Sequence, residues 1–319
     1  MNNRFQPEMA LRELIPLIGQ AYTHYFTYRY GSELNDWPSA ARRKYAHYYP
    51  ARLPSGFKIE SLLAVRSNML SLFEDTEQAI DTLEDSEKRS DRSFWKIRRQ
   101  DRSGVRKLNK LKHTPIGFVC RRGLDRYLIF RGTSAGIEWV QDSMLAQVPW
   151  RGPVGDLTLG GSVHRGFLQI YQNIIPHPNN IRLKRGFFSR KWGRLIISGH
   201  SLGGALASLA AFELNHLKPI VYTFASPRVF DPDFAAAYGR AIDYSYRITN
   251  SDDPFVNLPG EKSRFLDGKE YLYSHVGTHE PVTTRKRDIV RGVVRNRDLV
   301  FAHQLRTYEL ALRRRLDGT

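Results

Sequence analysis

Cysteine is nearly absent: Cys120 is the single thiol in a chain of 319 residues. One cysteine excludes an intramolecular disulfide framework and a multi-cysteine zinc or iron–sulfur site. Long apolar runs are missing too. No stretch reaches the roughly 18 consecutive apolar residues that a spanning helix needs, so no transmembrane helix is expected. The apolar stretch from Leu11 to Ile18 is broken by Arg12 and Glu13, which does not read as a secretory signal. Gly and Pro, at 24 and 16 residues, carry no collagen-like or low-complexity bias. Together these absences predict a reducing, cytoplasmic setting, with any membrane contact peripheral.

Negative charge is in short supply. Lys and Arg number 49 against 32 Asp and Glu, for a formal charge of +17. The excess is segmental. Residues 86–112 hold eleven basic and three acidic side chains, residues 182–194 six basic and none acidic, and residues 285–297 six basic and one acidic. Such segments suit an anionic partner, an anionic membrane surface in particular; the plainer reading is solvated loops. Signatures of RRM, zinc-finger or helix-turn-helix modules are lacking, so nucleic acid is not the expected partner.

The chain changes style near residue 112. Before it, residues 20–50 are rich in Tyr, with turn-like Trp37-Pro38 and Tyr49-Pro50. Ile59, Leu62, Leu63, Met69, Leu70, Phe73, Ile80 and Leu83 recur at helical spacing, with an acidic face between Glu74 and Asp85. Residues 1–112 are therefore predicted to be a mostly helical accessory region, and residues 113–319 a separate α/β domain. In the latter, Ile116–Cys120 and Tyr127–Phe130 flank Arg122-Gly123-Leu124-Asp125, a hairpin signal. Leu195–Ser198, Pro219–Phe224 and Tyr244–Ile248 read as strands, separated by helical stretches at about 201–216 and 233–241. Alternating strands and helices predict a mainly parallel central sheet covered on both faces.

The most informative segment is Leu195-Ile196-Ile197-Ser198-Gly199-His200-Ser201-Leu202-Gly203-Gly204-Ala205. It sets G-x-S-x-G directly after an apolar strand and directly before an Ala-rich helix, the context in which that motif exposes a nucleophilic serine. Glycines two residues either side remove Cβ atoms that a tight turn would crowd. The helix N-terminus aims backbone N–H groups at developing negative charge. A bare serine is a weak nucleophile, so a base and an orienting acid are required.

Gly199–Ala207 resembles the class 3 lipase family, α/β-hydrolases typified by fungal triacylglycerol lipases. Three further segments follow the family in order: Ile129-Phe130-Arg131-Gly132-Thr133, Val163-His164-Arg165-Gly166-Phe167, and Asn250-Ser251-Asp252-Asp253-Pro254-Phe255-Val256-Asn257-Leu258-Pro259. The resemblance spans about residues 115–308 and implies an α/β-hydrolase fold. It also implies Ser201 as nucleophile, with the backbone N–H of Leu202 and the N–H and hydroxyl of Thr133 as oxyanion-hole donors. The alternative reading of Thr133 is a cap on the next helix. Residues 135–145, with Ile137, Val140, Met144 and Leu145 on one helical face and Trp139 beside it, correspond to the family's lid helix; otherwise they form an ordinary half-buried helix.

Chain order in this fold runs serine, acid, histidine. His216 precedes the acid. His275, His279 and His303 follow it. His303 resembles the family's late histidine with a Tyr five residues on, Tyr308, although Ala302 stands where an Asp is usual. His275 resembles a non-catalytic family segment and is the alternative base. His275 and His279 also have H-x-x-x-H spacing, a weak zinc pattern without a third ligand. Asp253 and Asp252 compete as the acid, and the resemblance, in which the family's Asp stands six residues before the Pro of Leu-Pro, implies Asp253. The expected function is a serine ester hydrolase acting on glycerolipid acyl esters, without metal or organic cofactor. A phospholipase A on anionic membranes, and an inactive lipid-binding relative, are the alternatives.

Overall fold

The computed structural model describes residues 4–31, 33–37, 42, 46, 53–66, 113–133, 146–150, 161–180, 193–264, 268–284 and 301–318. The main strands are β1 (Lys58–Arg66), β2 (His113–Arg122), β3 (Asp125–Phe130), β6 (Leu195–His200), β7 (Ile220–Phe224), β8 (Tyr244–Asn250) and β11 (Thr278–Val282). They form one central seven-stranded sheet in the order β1-β2-β3-β6-β7-β8-β11. β1, β2 and β3 pair antiparallel. From β3 through β6, β7 and β8 to β11 every pairing is parallel. The short pairs β4 (Gln147–Pro149) with β5 (Ser162–His164) and β9 (Lys262–Arg264) with β10 (Glu270–Leu272) lie outside this sheet.

Alternation along each strand feeds two cores. Leu195, Ile197 and Val221 enter one, with residues of α2 (Arg165–Gln172), α3 (Leu202–Glu213) and α4 (Pro232–Ala241). Ile196, Tyr222, Phe224 and Ile248 enter the other, with residues of α1 (Ile15–Tyr30) and α5 (Leu305–Asp317). Both faces are covered, which is why β6 and β7 are buried along their whole length. This is the mainly parallel sheet, covered on both faces, that the alternating strands and helices predict. The hairpin turns at Gly123 with φ of 60°, and the expected strands and helices after residue 113 that fall on described residues form within a few residues of their predicted bounds. Among the described residues, no helix is long and apolar enough to cross a membrane.

The N-terminal part needs a correction. Ile59, Leu62 and Leu63, expected to open a helix, lie in strand β1. Leu63 and Val65 point into the core while Leu62 is 53% exposed. Three apolar residues at spacings of three and four fit a helix in a short window. Pairing with β2 overrides that local pattern, and irregular register between Ile59 and Ser61 and between Leu63 and Ala64 blurs the strand alternation. The rest of that apolar series, from Met69 to Leu83, lies outside the described residues, as do the acidic face and the basic segments 86–112 and 285–297. Residues 182–192 of the third basic segment are outside them too.

Helix α1 is built into the sheet. A π-helical turn, Ala10–Leu14, leads into it. Leu14, Ile15, Leu17, Ile18 and Tyr22 are fully buried. His24 packs edge-on to Phe118 of β2, and the Arg131 guanidinium lies 3.8 Å from the Tyr25 ring centroid. Tyr127 of β3 donates a 3.0 Å hydrogen bond to Glu13. Because Ile18 is a core residue, Ile18→Ala is expected to cost about 2–5 kcal/mol of stability. Leu124→Ala, at a site 60% exposed, should stay within about 0.5 kcal/mol. Urea midpoints of the two variants check the difference.

Candidate active site

Ser201 sits where β6 stops and α3 starts, with φ of 57° and ψ of −125°. For a residue with a side chain this is strained backbone, costing on the order of 1–3 kcal/mol. Close packing holds it there. A Cβ on Gly199 would lie 2.1 Å from the Gly203 carbonyl oxygen, and one on Gly203 would lie 2.6 Å from the carbonyl oxygens of Phe130 and Arg131. The two motif glycines therefore let the turn close on itself and let α3 abut the end of β3. The Ser201 N–H is tied to the Phe224 carbonyl at 2.9 Å.

Three chemically distinct side chains converge on this turn. His303 Nε2 lies 2.8 Å from Ser201 Oγ, and His303 Nδ1 lies 2.8 Å from Asp253 Oδ2. Asp253 follows β8 and Asn250. Its Oδ1 accepts from the Phe255 N–H at 3.0 Å, and its Oδ2 also accepts from the Tyr308 hydroxyl at 2.7 Å. The side chain is fully shielded from solvent. Burial alone would raise the carboxyl's pKa. The charge and hydrogen bond of His303, with the bonds from Tyr308 and Phe255, hold it below the ordinary carboxylate range. An ionised carboxylate thus faces Nδ1–H and leaves Nε2 free to accept the serine proton. The Phe255 ring meets the imidazole edge-on with centroids 5.0 Å apart.

The competing residues fall elsewhere. Asp252 is exposed. His216 is exposed on the short turn Asn215–Leu217. His279 is exposed, with its Nε2 2.6 Å from the Thr249 hydroxyl. His275 is half-buried beside Arg247 and Arg228, and burial followed by those charges pushes its pKa down to about 3. Among the described residues, no group of three or more His, Cys, Asp or Glu side chains could hold a metal ion.

Thr133 stands half-buried just beyond β3. A Cβ on its neighbour Gly132 would lie 2.9 Å from Ser201 Cβ, so this strand end lies against the serine. Leu202 is the first residue of α3, where a backbone N–H has no acceptor within its own helix. Two donor-bearing segments thus flank the serine, as anion stabilisation requires. The expected lid, 135–145, lies outside the described residues. In the sequence Tyr308 stands out only by its spacing from His303; its bond to Asp253 depends on α5 packing beneath the acid loop, which no local pattern encodes.

Comparison with known proteins follows the same segments. The family model "Lipase (class 3)" matches residues 127–263. Phospholipase A1-II 1 of Oryza sativa subsp. indica is 30% identical over 192 residues, covering 53% of this chain and 45% of the relative. A lipase of Rhizomucor miehei is 34% identical over 154 residues, covering 46% and 40%. A secreted mono- and diacylglycerol lipase 1 of Fusarium solani is 34% identical over 110 residues, covering 33% and 32%. A solved Rhizomucor miehei lipase–propeptide complex, a deletion mutant, aligns with a TM-score of 0.42 at 28% identity, covering 52% of this chain and 51% of that one. The chain spans about half the length, or less, of the curated relatives it matches.

Two buried histidines join His275 in setting the acid response of the fold. His164 caps α2 by accepting from the Gly166 and Phe167 N–H groups, and His200 precedes the serine. Burial pushes both down to about 3. The unfolded chain, with histidines near 6.5, takes protons that the native state refuses. Stability therefore rises with pH between about 3 and 6.5, by on the order of 1 kcal/mol per pH unit for each histidine. Asp253, with its lowered pKa, acts in the same direction: its contribution is present above the ordinary carboxylate range and lost as pH falls through the native value. Urea midpoints should fall steadily from pH 7 to pH 4, and His164→Gln should flatten that slope.

Proposed function

We propose that this chain, whose residues 127–263 match the class 3 lipase family model, is a serine hydrolase of lipid acyl esters. The observation that carries the reading is the continuous hydrogen-bonded line from Ser201 Oγ through His303 to the buried Asp253, set on a strained strand-to-helix turn. In this reading Ser201 Oγ attacks the ester carbonyl carbon while His303 Nε2 takes the hydroxyl proton. Asp253 fixes Nδ1–H as donor and stabilises the imidazolium. The carbonyl oxygen becomes an oxyanion held by the N–H groups of Leu202 and Thr133. Collapse breaks the bond to the leaving alcohol, which takes the proton from His303, and leaves an acyl-enzyme. Water, deprotonated by the same imidazole, releases the fatty acid and restores the serine.

The lipid class is drawn from chemistry and from relatives. The relatives above are named as lipases and phospholipases A1, and glycerolipid acyl esters are common to both. The three basic segments support a second reading within the same mechanism, a phospholipase A meeting anionic membranes peripherally, with attraction of about 1 kcal/mol per basic residue near the surface. An inactive lipid-binding protein is the contrary case, and the intact hydrogen-bonded line argues against it.

Ser201→Ala and His303→Ala should each lower p-nitrophenyl ester hydrolysis by about 10³-fold or more. His275→Ala should keep wild-type rates, and only wild type and His275→Ala should label rapidly with a fluorophosphonate. Equal hydrolysis by wild type and Ser201→Ala would remove the reading. On vesicles, the phospholipase reading expects faster hydrolysis of phosphatidylglycerol than phosphatidylcholine, with the difference lost in high salt. No head-group difference would leave the neutral-lipid reading in place.

A further inference from the structure

The active-site segments converge on a buried hydroxyl from a part of the chain where the sequence offers no catalytic motif. Tyr22, on α1, is fully buried. Its hydroxyl accepts from the Gly132 N–H at 3.0 Å and lies 2.9 Å from His200 Nδ1. His200 Nε2 lies 2.7 Å from the backbone carbonyl of His303. A carbonyl only accepts, so Nε2 carries the ring proton and Nδ1 accepts from the tyrosine. Every polar atom along this path then has a partner with its proton in one sense: Gly132 N–H to Tyr22 Oη, Tyr22 Oη–H to His200 Nδ1, His200 Nε2–H to His303 C=O. Such a chain has no alternative proton arrangement while His200 stays neutral, and full burial keeps it so.

The path joins the parts that the proposed chemistry needs in register. Gly132 precedes Thr133 and lies against Ser201. His200 precedes Ser201 in the turn. His303 supplies the imidazole, and the His200 and His303 rings are 5.1 Å apart between centroids. Backbone is what Tyr22 and His200 grip at either end, at the strand that leads to Thr133 and at the short helical stretch that bears His303. We propose that Tyr22 and His200 are positioning residues: through this chain they hold the donor strand and the His303 backbone at a fixed separation across Ser201. Neither side chain touches the ester. The assignment rests on the serine-hydrolase reading, and it gives helix α1 a part in the reaction rather than only in the core.

The test compares Tyr22→Phe with Tyr127→Phe in the full chain. Tyr127→Phe removes a helix-to-sheet hydrogen bond of the same kind, to Glu13, away from the serine. With similar losses in Tm, Tyr22→Phe should lower kcat by about tenfold with KM within about twofold, because misplacement of reacting groups acts on the transition state. Its second-order rate of fluorophosphonate labelling should fall in parallel. Tyr127→Phe should keep wild-type values for both. His200→Gln can both accept from Tyr22 and donate to the His303 carbonyl, whereas His200→Leu can do neither. Gln should therefore retain at least about tenfold more kcat than Leu at matched folded fraction, a comparison that stands even where Tyr22→Phe fails to fold. If wild type labels and turns over but Tyr22→Phe matches it, or Gln and Leu are alike, the positioning role is overturned and the hydrolase reading survives. If wild type itself neither labels nor hydrolyses esters, it is the hydrolase reading that falls.

Discussion

The site depends on a backbone that would not adopt its conformation alone. Ser201 holds a positive φ because the chain before and after it is pressed together with no room for side chains at Gly199 or Gly203. That strain lies in a sheet and helix buried all round, where the surrounding core offsets it. The turn lifts the serine hydroxyl out of the sheet and sets the first N–H of α3 beside it. Relax the turn and hydroxyl, donors and imidazole would lose their common geometry.

Around that turn, polarity is arranged by burial. Asp253 is removed from water yet ionised, because three donors reach it at once: an imidazole N–H, a phenol and a backbone N–H. Each is worth more in a low-dielectric pocket than in solvent. His200 shows the converse. It is just as buried, and burial, followed by the neighbouring His303, keeps its ring neutral even though the His303 carbonyl by itself would favour the charged form. Two histidines with ring centroids 5.1 Å apart thus have different partners: one lies between a serine hydroxyl and a buried carboxylate, the other between a tyrosine hydroxyl and a backbone carbonyl.

The described N-terminal residues belong to the same physical unit. Strand β1 extends the sheet at one edge, and α1 closes the face opposite α3. Arg131 illustrates the mutual dependence. It is buried, donates to the carbonyls of Pro115 and Gly132, and lies against the Tyr25 ring. The strand end beside Ser201 is thus held by α1 from beneath, and Tyr22 is one turn of helix away from that contact.

By itself the sequence determined the features that depend on near neighbours in the chain. G-x-S-x-G after a buried strand, the hairpin about Gly123, the alternating strands and helices after residue 113 and the order serine, acid, histidine were legible, because each is encoded within a dozen residues or in chain order. The strand at Lys58–Arg66 was not, because its pairing partner begins at His113 and a short apolar window fits a helix equally well. Choosing His303 over His275, and Asp253 over Asp252, needed a resemblance before the fold. What decides it physically is proximity across 102 and 50 residues of chain. Tyr22 lies further still, 178 residues from His200. No local pattern could announce it, because a tyrosine in a buried helix is ordinary until tertiary packing brings its hydroxyl against a backbone N–H and an imidazole.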